Sequence, residues 1–369
     1  MKNVSLKDLA WNFFKIGLLG FGGGMGILSL IREYCVKKKC WLNDDELLTA
    51  VAIGQMLPGP FVPNYVEFIG YILKKIKGMV VSVVFFLLPS YIFTLALAIF
   101  YFKYQKLNFT EKIFEYLLPV IPAILFWGGL RLAKDFFKNK KSHEIVISLI
   151  IIFLAFLLIN LKVEIFLIII LCGFLGIIIK SFDKKLNSVL FSFSPLVVLF
   201  LVFLKIGSLT FGGGYAAIPF IKQEFVDFRK LISEKDFLVG VGISHITPGP
   251  IAIIATFIGY KVSGIFGSII ATIAIFLPSA IMLYLVIKLY QKVEKNFYIQ
   301  SFLFGVKPAI IGFVFQVGLF FFLKIINDFL LIFFSLLLLL LLIITNLEPF
   351  YIIVGGTFLN FLIHKFLVF

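Results

Sequence analysis

Four apolar runs of this chain carry breaks of a kind that a membrane helix rarely tolerates. Three consecutive glycines interrupt the runs near 9–31 and 195–221, and Pro-Gly-Pro interrupts those near 47–73 and 236–260. Glycine loosens a helix, while each proline removes a backbone donor and pushes the preceding residue out of helical geometry. Backbone freed in this way is costly against lipid, so it must be buried in protein or line a wet cavity.

The breaks recur in register. With an offset of 190 residues, Lys15-Ile16-Gly17 and Phe21-Gly22-Gly23-Gly24 fall on Lys205-Ile206-Gly207 and Phe211-Gly212-Gly213-Gly214, and Pro58-Gly59-Pro60 falls on Pro248-Gly249-Pro250. After a slip of one residue, Phe68-Ile69-Gly70-Tyr71 and Pro89-Ser90 meet Phe257-Ile258-Gly259-Tyr260 and Pro278-Ser279, and further on Pro122-Ala123-Ile124 meets Pro308-Ala309-Ile310. Chance does not repeat an ordered set with so little drift. The chain is a tandem duplication with a period of about 185 residues, divided into 1–185 and 186–369.

Hydrophobic residues make up 61% of the 369 and the mean hydropathy is +1.10, which excludes an ordinary soluble domain. Several apolar runs approach the ~20 residues that cross a bilayer. The fold class that follows is an all-α polytopic membrane protein of two homologous repeats, each with about five spanning helices plus a broken or re-entrant segment. The loop from Arg131 to Lys141 is far more basic than its counterpart around Lys324, which predicts repeats inverted across the membrane. The N-terminal segment, with a glycine triplet inside it and no small-residue cleavage site after it, reads as a retained first segment and not a signal peptide.

The net charge of +15 lies mostly in short loops, where it fits membrane orientation and anionic lipid better than nucleic acid. The lipid bilayer and a small inorganic anion are the partners expected, and a homodimer is compatible with the sequence. The three cysteines lack zinc spacing, and no cofactor or metal is implied.

Matched breaks in two repeats are the sequence pointer to a transporter's midplane site. Tight packing and kinking of membrane helices is the plainer alternative. A broken helix offers free N–H groups and the positive end of a dipole to an oxyanion, and glycine admits it close to the backbone. Gly22, Gly23, Gly24, Pro58, Gly59, Pro60, Gly212, Gly213, Gly214, Pro248, Gly249 and Pro250 are therefore expected to line one substrate site. Lys15 and Lys205, about two turns before the triplets, could supply a dianion with counter-charge or could snorkel to headgroups. Gln55 and His245, at one repeat position, could donate to an oxyanion or simply cap loose backbone. Glu67 is an intramembrane carboxylate and a candidate for coupling to a proton or another cation, although the second repeat has Thr256 in its place.

These residues resemble the chromate ion transporter family in its long, two-domain form. The signature is Phe21-Gly22-Gly23-Gly24, Trp41 and Gln55-Met56-Leu57-Pro58-Gly59-Pro60, repeated as Phe211-Gly212-Gly213-Gly214 and His245-Ile246-Thr247-Pro248-Gly249-Pro250. This chain has Gly24 where the family often has proline, Leu231 opposite Trp41, and His245 where glutamine is usual. The resemblance implies a multi-pass protein of the bacterial inner membrane that exports chromate, with sulfate as a look-alike. The alternatives are uptake or exchange of another anion, a lipid-modifying enzyme and a scaffold subunit. No clustered nucleophile or metal spacing favours the enzyme, and a scaffold leaves the matched breaks unexplained.

Overall fold

A computed structural model describes residues 4–20, 23–104, 116–138, 140, 142–161, 163, 165–178, 195–210, 214–287, 297–345 and 349–366. Every regular element among them is helical. The first repeat holds α1 (Leu6–Leu19), α2 (Gly23–Ile31, prolonged by π-helical turns at Arg32–Lys38), α3 (Asp44–Met56), α4 (Phe61–Lys103), α5 (Val120–Phe137), α6 (Ser142–Asn160) and α7 (Ile165–Ile178). The second holds the counterparts α8 (Pro195–Leu209), α9 (Ala217–Ile221, prolonged by π-helical turns at Lys222–Phe228), α10 (Glu234–Ile246), α11 (Ile254–Ile287), α12 (Phe297–Leu323), α13 (Phe329–Thr345) and α14 (Pro349–Phe366).

The starts of three helices are written in polar triplets. Ser5 caps α1 by accepting from the amide of Asp8, and Ser233 caps α10 by accepting from that of Asp236. Asn43 and Glu46 form a reciprocal capping box on α3. Each cap satisfies amides that the first turn leaves open, and the acidic residues beside it complement the helix dipole.

The chain folds back at both kinds of break, where the sequence predicted one re-entrant segment per repeat. Around Pro-Gly-Pro, the Asn64 amide donates to the carbonyls of Gly54 at 3.0 Å and Pro58 at 3.4 Å, so the start of α4 runs back along α3. Around the glycine triplets, Phe203 stacks on Phe225 at 4.8 Å and Lys205 pairs with Glu224 at 3.0 Å, on either side of the second turn. In the first repeat, Lys39 lies near enough to Asp8 for its charge to help the Ser5 hydroxyl hold that carboxyl below its usual range. Among the described residues four helical hairpins result, two in each repeat. The Pro-Gly-Pro break acts as a tip because its prolines cannot carry the helical hydrogen-bond ladder onward, and the glycine break because glycine holds helical geometry only weakly.

After the second hairpin the chain reverses once more inside α4, at Lys74 and Lys75, and inside α11, at Ser263 and Gly264. The segment from 76 to 103 then rises about 42 Å at 1.5 Å per residue, enough to cross a bilayer. α1 packs along α4 and α8 along α11, and these contacts are close because Gly17 and Gly207 have no Cβ to strike the carbonyls of Phe86 and Ile275.

The repeats interlock. Tyr71 meets Tyr284, Tyr91 meets Ser268 and Tyr101 meets Phe257, so the long segments of α4 and α11 run antiparallel. α12 packs into the first repeat against α5, α6 and α7, and α5 packs against α13 and α14 in return. Large apolar side chains such as Phe153, Phe266, Phe329 and Ile344 stand exposed on the outer surface, as a hydrocarbon-facing boundary requires.

Candidate functional site

The tips of the hairpins meet across the repeats. The amide of Gly59 donates to the carbonyl of Thr210, and that of Gly249 donates to the carbonyl of Gly20 at 2.8 Å. Thr210 and Gly20 are the residues just before Phe211 and Phe21, so each Pro-Gly-Pro is fastened to the glycine break of the other repeat. The Ser90 hydroxyl donates to the Pro248 carbonyl, and Ser279 lies against Gly59 in the matching place. Gly59 and Gly249 have φ of +96° and +104°, a region that favours glycine, and a Cβ on either would strike these serines.

One pair breaks the symmetry. Thr94 Oγ1 donates to Thr247 Oγ1 at 3.3 Å, whereas the matched positions are Leu283 and Leu57, both buried in one apolar cluster. The centre is thus polar on one side and greasy on the other.

His245, next to last in α10, is buried, with Nδ1 at 2.8 Å from the Val241 carbonyl and Nε2 without a hydrogen-bond partner among the described residues. Its ring is 5.4 Å from that of Tyr215, which follows Gly214 and so joins the two tips of the second repeat. Tyr215 sits over Gly128 and edge-on to Trp127 at 6.3 Å, and the Arg131 guanidinium lies over Trp127 at 5.0 Å. α5 thereby carries a cation, Arg131, and the Trp127 ring toward the tips. In sequence Arg131 reads as the first charge of a loop, yet α5 continues to Phe137. Nothing in the sequence separated it from the basic loop beyond.

The other expected residues divide. Pro58, Pro60, Pro248 and Pro250 are buried at the tips, and Gly214 opens a short 3-10 turn against Ile251. Gly23 and Gly24 form the first turn of α2. Gly22, Gly212, Gly213 and the side chain of Gln55 lie outside the described residues. Lys205 shares Glu224 with Arg229, whose Nε is 3.2 Å from that carboxylate. Lys15 lies over the ring of Trp11, itself 58% exposed, at 5.0 Å. Glu67 is 1% exposed, and neither of its oxygens has a hydrogen-bond partner among the described residues.

Sequence reasoning missed Asn64, Ser90, Tyr215 and Ser279 as well as Arg131. The repeat held a signal for the serines, since each follows a matched proline inside a long helix.

A family model described as chromate transporter matches residues 7–177 and 197–361. The chain is 30% identical to an uncharacterized transporter of Methanocaldococcus jannaschii, over 88% of this chain and 86% of that protein. It is 27% identical to a chromate transport protein of Cupriavidus metallidurans and 25% identical to one of Pseudomonas aeruginosa, each over 84% of this chain and 80% of the relative. No solved structure matches it.

Proposed function

The chain belongs to the chromate transporter family, and from that premise we propose that it is a secondary transporter that exports chromate or a similar tetrahedral oxyanion across the cell membrane. The observation that carries this reading is the reciprocal fastening of the tips, Gly59 to Thr210 and Gly249 to Gly20. Two hairpins from each repeat bring broken backbone together at one place, where amides other than those of Gly59 and Gly249, which the cross-repeat bonds occupy, can face an anion. Arg131 offers the planar fork that suits an oxyanion, and Lys15 and Lys205 add positive charge about two turns away. The Tyr215 hydroxyl and the threonine pair supply neutral hydrogen bonds. Sulfate has the same shape and charge, and a site built of backbone amides and cations separates the two poorly.

In this reading the repeats are inverted about an axis in the membrane plane. The antiparallel packing of α4 on α11 supports it, because two matched spanning helices that run oppositely belong to oppositely inserted repeats. The hairpins then enter from both faces and meet near the midplane. One chain supplies both halves of the site, so a homodimer would pair two complete sites.

With a cell interior that is negative, a dianion leaving gains about 4.6 kcal/mol per 100 mV, twice the value for a unit charge, so export needs no nucleotide. Proteoliposomes loaded with chromate under an imposed potential test this. Potential-driven release is the expected result, and retention equal to that of empty-protein controls would overturn it.

A further inference from the structure

The free nitrogen of His245 is an acceptor, not a donor. Nδ1 faces the Val241 carbonyl at 2.8 Å, and a carbonyl can only accept, so the single N–H of the neutral imidazole sits on Nδ1 and donates there. Nε2, across the ring, is left with a lone pair that points away from the backbone of α10. The residue is 8% exposed, and Nε2 is buried with no hydrogen-bond partner among the described residues. The Ser244 hydroxyl donates to the same Val241 carbonyl and the Thr247 hydroxyl to that of Ile243, so neighbouring donors turn back onto α10. Tyr215 meets the ring at 5.4 Å between centroids, yet its hydroxyl does not satisfy Nε2 either. Buried polar atoms are nearly always paired, so an orphaned acceptor three residues before Pro248 points to a donor that arrives from outside the fold.

Among the described residues no charged group touches the ring. Tyr215 is in contact with it, and Arg131 of α5 stands behind Trp127, near enough for its charge to act on the Tyr215 hydroxyl. α4 presents Ser90 and Thr94 to this end of α10. Lys261 of α11 pairs with Asp236, and Lys324 beyond α12 with Glu234, both at the other end of α10; Glu224 and Arg229, after α9, pair with each other. α14 has no charged residue from Pro349 to Ile363. Protonating Nε2 in the empty site would therefore bury a cation with no counter-charge, which is strongly disfavoured. A bare dianion brought to Nε2 would meet a lone pair, which repels it. Both penalties are removed together when the anion arrives with one proton.

We propose that His245 makes the second-repeat tip a site for an oxyanion together with one proton, held between an anion oxygen and Nε2. This rests on the anion transport proposed above and names its ligand class: oxyanions basic enough to hold a hydrogen near neutral pH, as chromate is and sulfate is not. Backbone amides and cations alone separate those two poorly, whereas a lone pair in the site separates them by basicity. Gln55, at the same position of the first repeat, has an amide nitrogen that can donate to a bare oxygen, so histidine here exchanges a donor for an acceptor. The protons balance: a fully deprotonated anion takes up one on binding, and its release returns one.

The test uses purified full-length protein in weakly buffered detergent, mildly alkaline so that free chromate is fully deprotonated. Chromate and, separately, sulfate are titrated in, with binding read by calorimetry and proton uptake by a pH-sensitive dye. Uptake of one proton per bound chromate is expected, with sulfate bound roughly 10-fold more weakly or less well still. His245→Gln should bind chromate without proton uptake and lose several-fold of the preference over sulfate. Chromate binding by the wild type with no proton uptake would overturn the proposal and leave the transport reading standing, as would undiminished uptake in His245→Gln. Absence of chromate binding by the wild type would overturn both. The wild-type titration decides the outcome even where the variant does not fold.

Discussion

The amide of Gly249 reaches the carbonyl of Gly20 at 2.8 Å, and this one bond fastens the Pro-Gly-Pro turn of the second repeat to the glycine break of the first. Its mirror joins Gly59 to Thr210. The two bonds make the junction a shared property of both repeats, so damage to either tip acts on the whole.

Gly249→Ala should therefore lower transport by about 10-fold or more. Strain at a positive φ costs on the order of 1–3 kcal/mol, and the new methyl also strikes the Ser90 hydroxyl. Gly59→Ala should behave alike through Ser279. Initial rates in proteoliposomes, normalised to inserted protein, check this; wild-type rates in both would take the tips out of the pathway.

Arg131→Gln should abolish anion transport, and Arg131→Lys should restore little of it, because a lysine keeps the charge but loses the fork and the stacking on Trp127. Substrate protection against thermal unfolding is the direct readout. Equal protection in wild type and Arg131→Gln would place the anion elsewhere.

Lys205→Ala and Lys15→Ala should separate. Lys205 is one of two cations on the buried Glu224, and removing one partner of such a pair costs about 3–5 kcal/mol where the pair is fully buried, less here because Lys205 is partly exposed and Arg229 remains. A fall in both melting temperature and transport is expected for Lys205→Ala. For Lys15→Ala the expectation is impaired transport with unchanged insertion, and wild-type transport would assign Lys15 to the headgroups.

Cys40 and Lys230 occupy one repeat position, and both adopt left-handed backbone, with φ of 48° and 51°, at the turn before a hairpin. Inverted repeats put them on opposite faces of the membrane. A membrane-impermeant maleimide should label the native Cys40 from one side, and Lys230→Cys in a Cys40→Ser background from the other. Cys35 and Cys172 are buried and should stay silent. Labelling of both positions from the same side would refute the inversion.

Lys75→Gly should stabilise the protein by about 1 kcal/mol. Lys75 holds φ 53° and ψ −145°, a conformation essentially reserved for glycine, and the matched turn uses Gly264 at φ 62° and ψ −150°. A higher melting temperature at unchanged transport is the expected outcome. A lower one would mean that the Lys75 side chain contributes more than its strain costs.

The duplication, the all-helical membrane character and the two kinds of break were legible in the residues, because period, hydropathy and the chemistry of glycine and proline are local properties. So was the resemblance that the family match later supported. Glu67 could be picked out as an intramembrane charge for the same reason. What a single strand of letters does not contain is which distant carbonyl a freed amide will find. Gly59 and Thr210 are joined only after four hairpins close, and Arg131 becomes a neighbour of the tips only because α5 runs past the point where its charges begin. Likewise, the sequence shows Glu67 facing Thr256 across the repeat, but the missing partner for its oxygens follows from the fold-back, which sets Val83 where the second repeat has Thr272, the partner of Thr256. Local propensity determined where the chain breaks, and the packing of one repeat into the other decided what those breaks face.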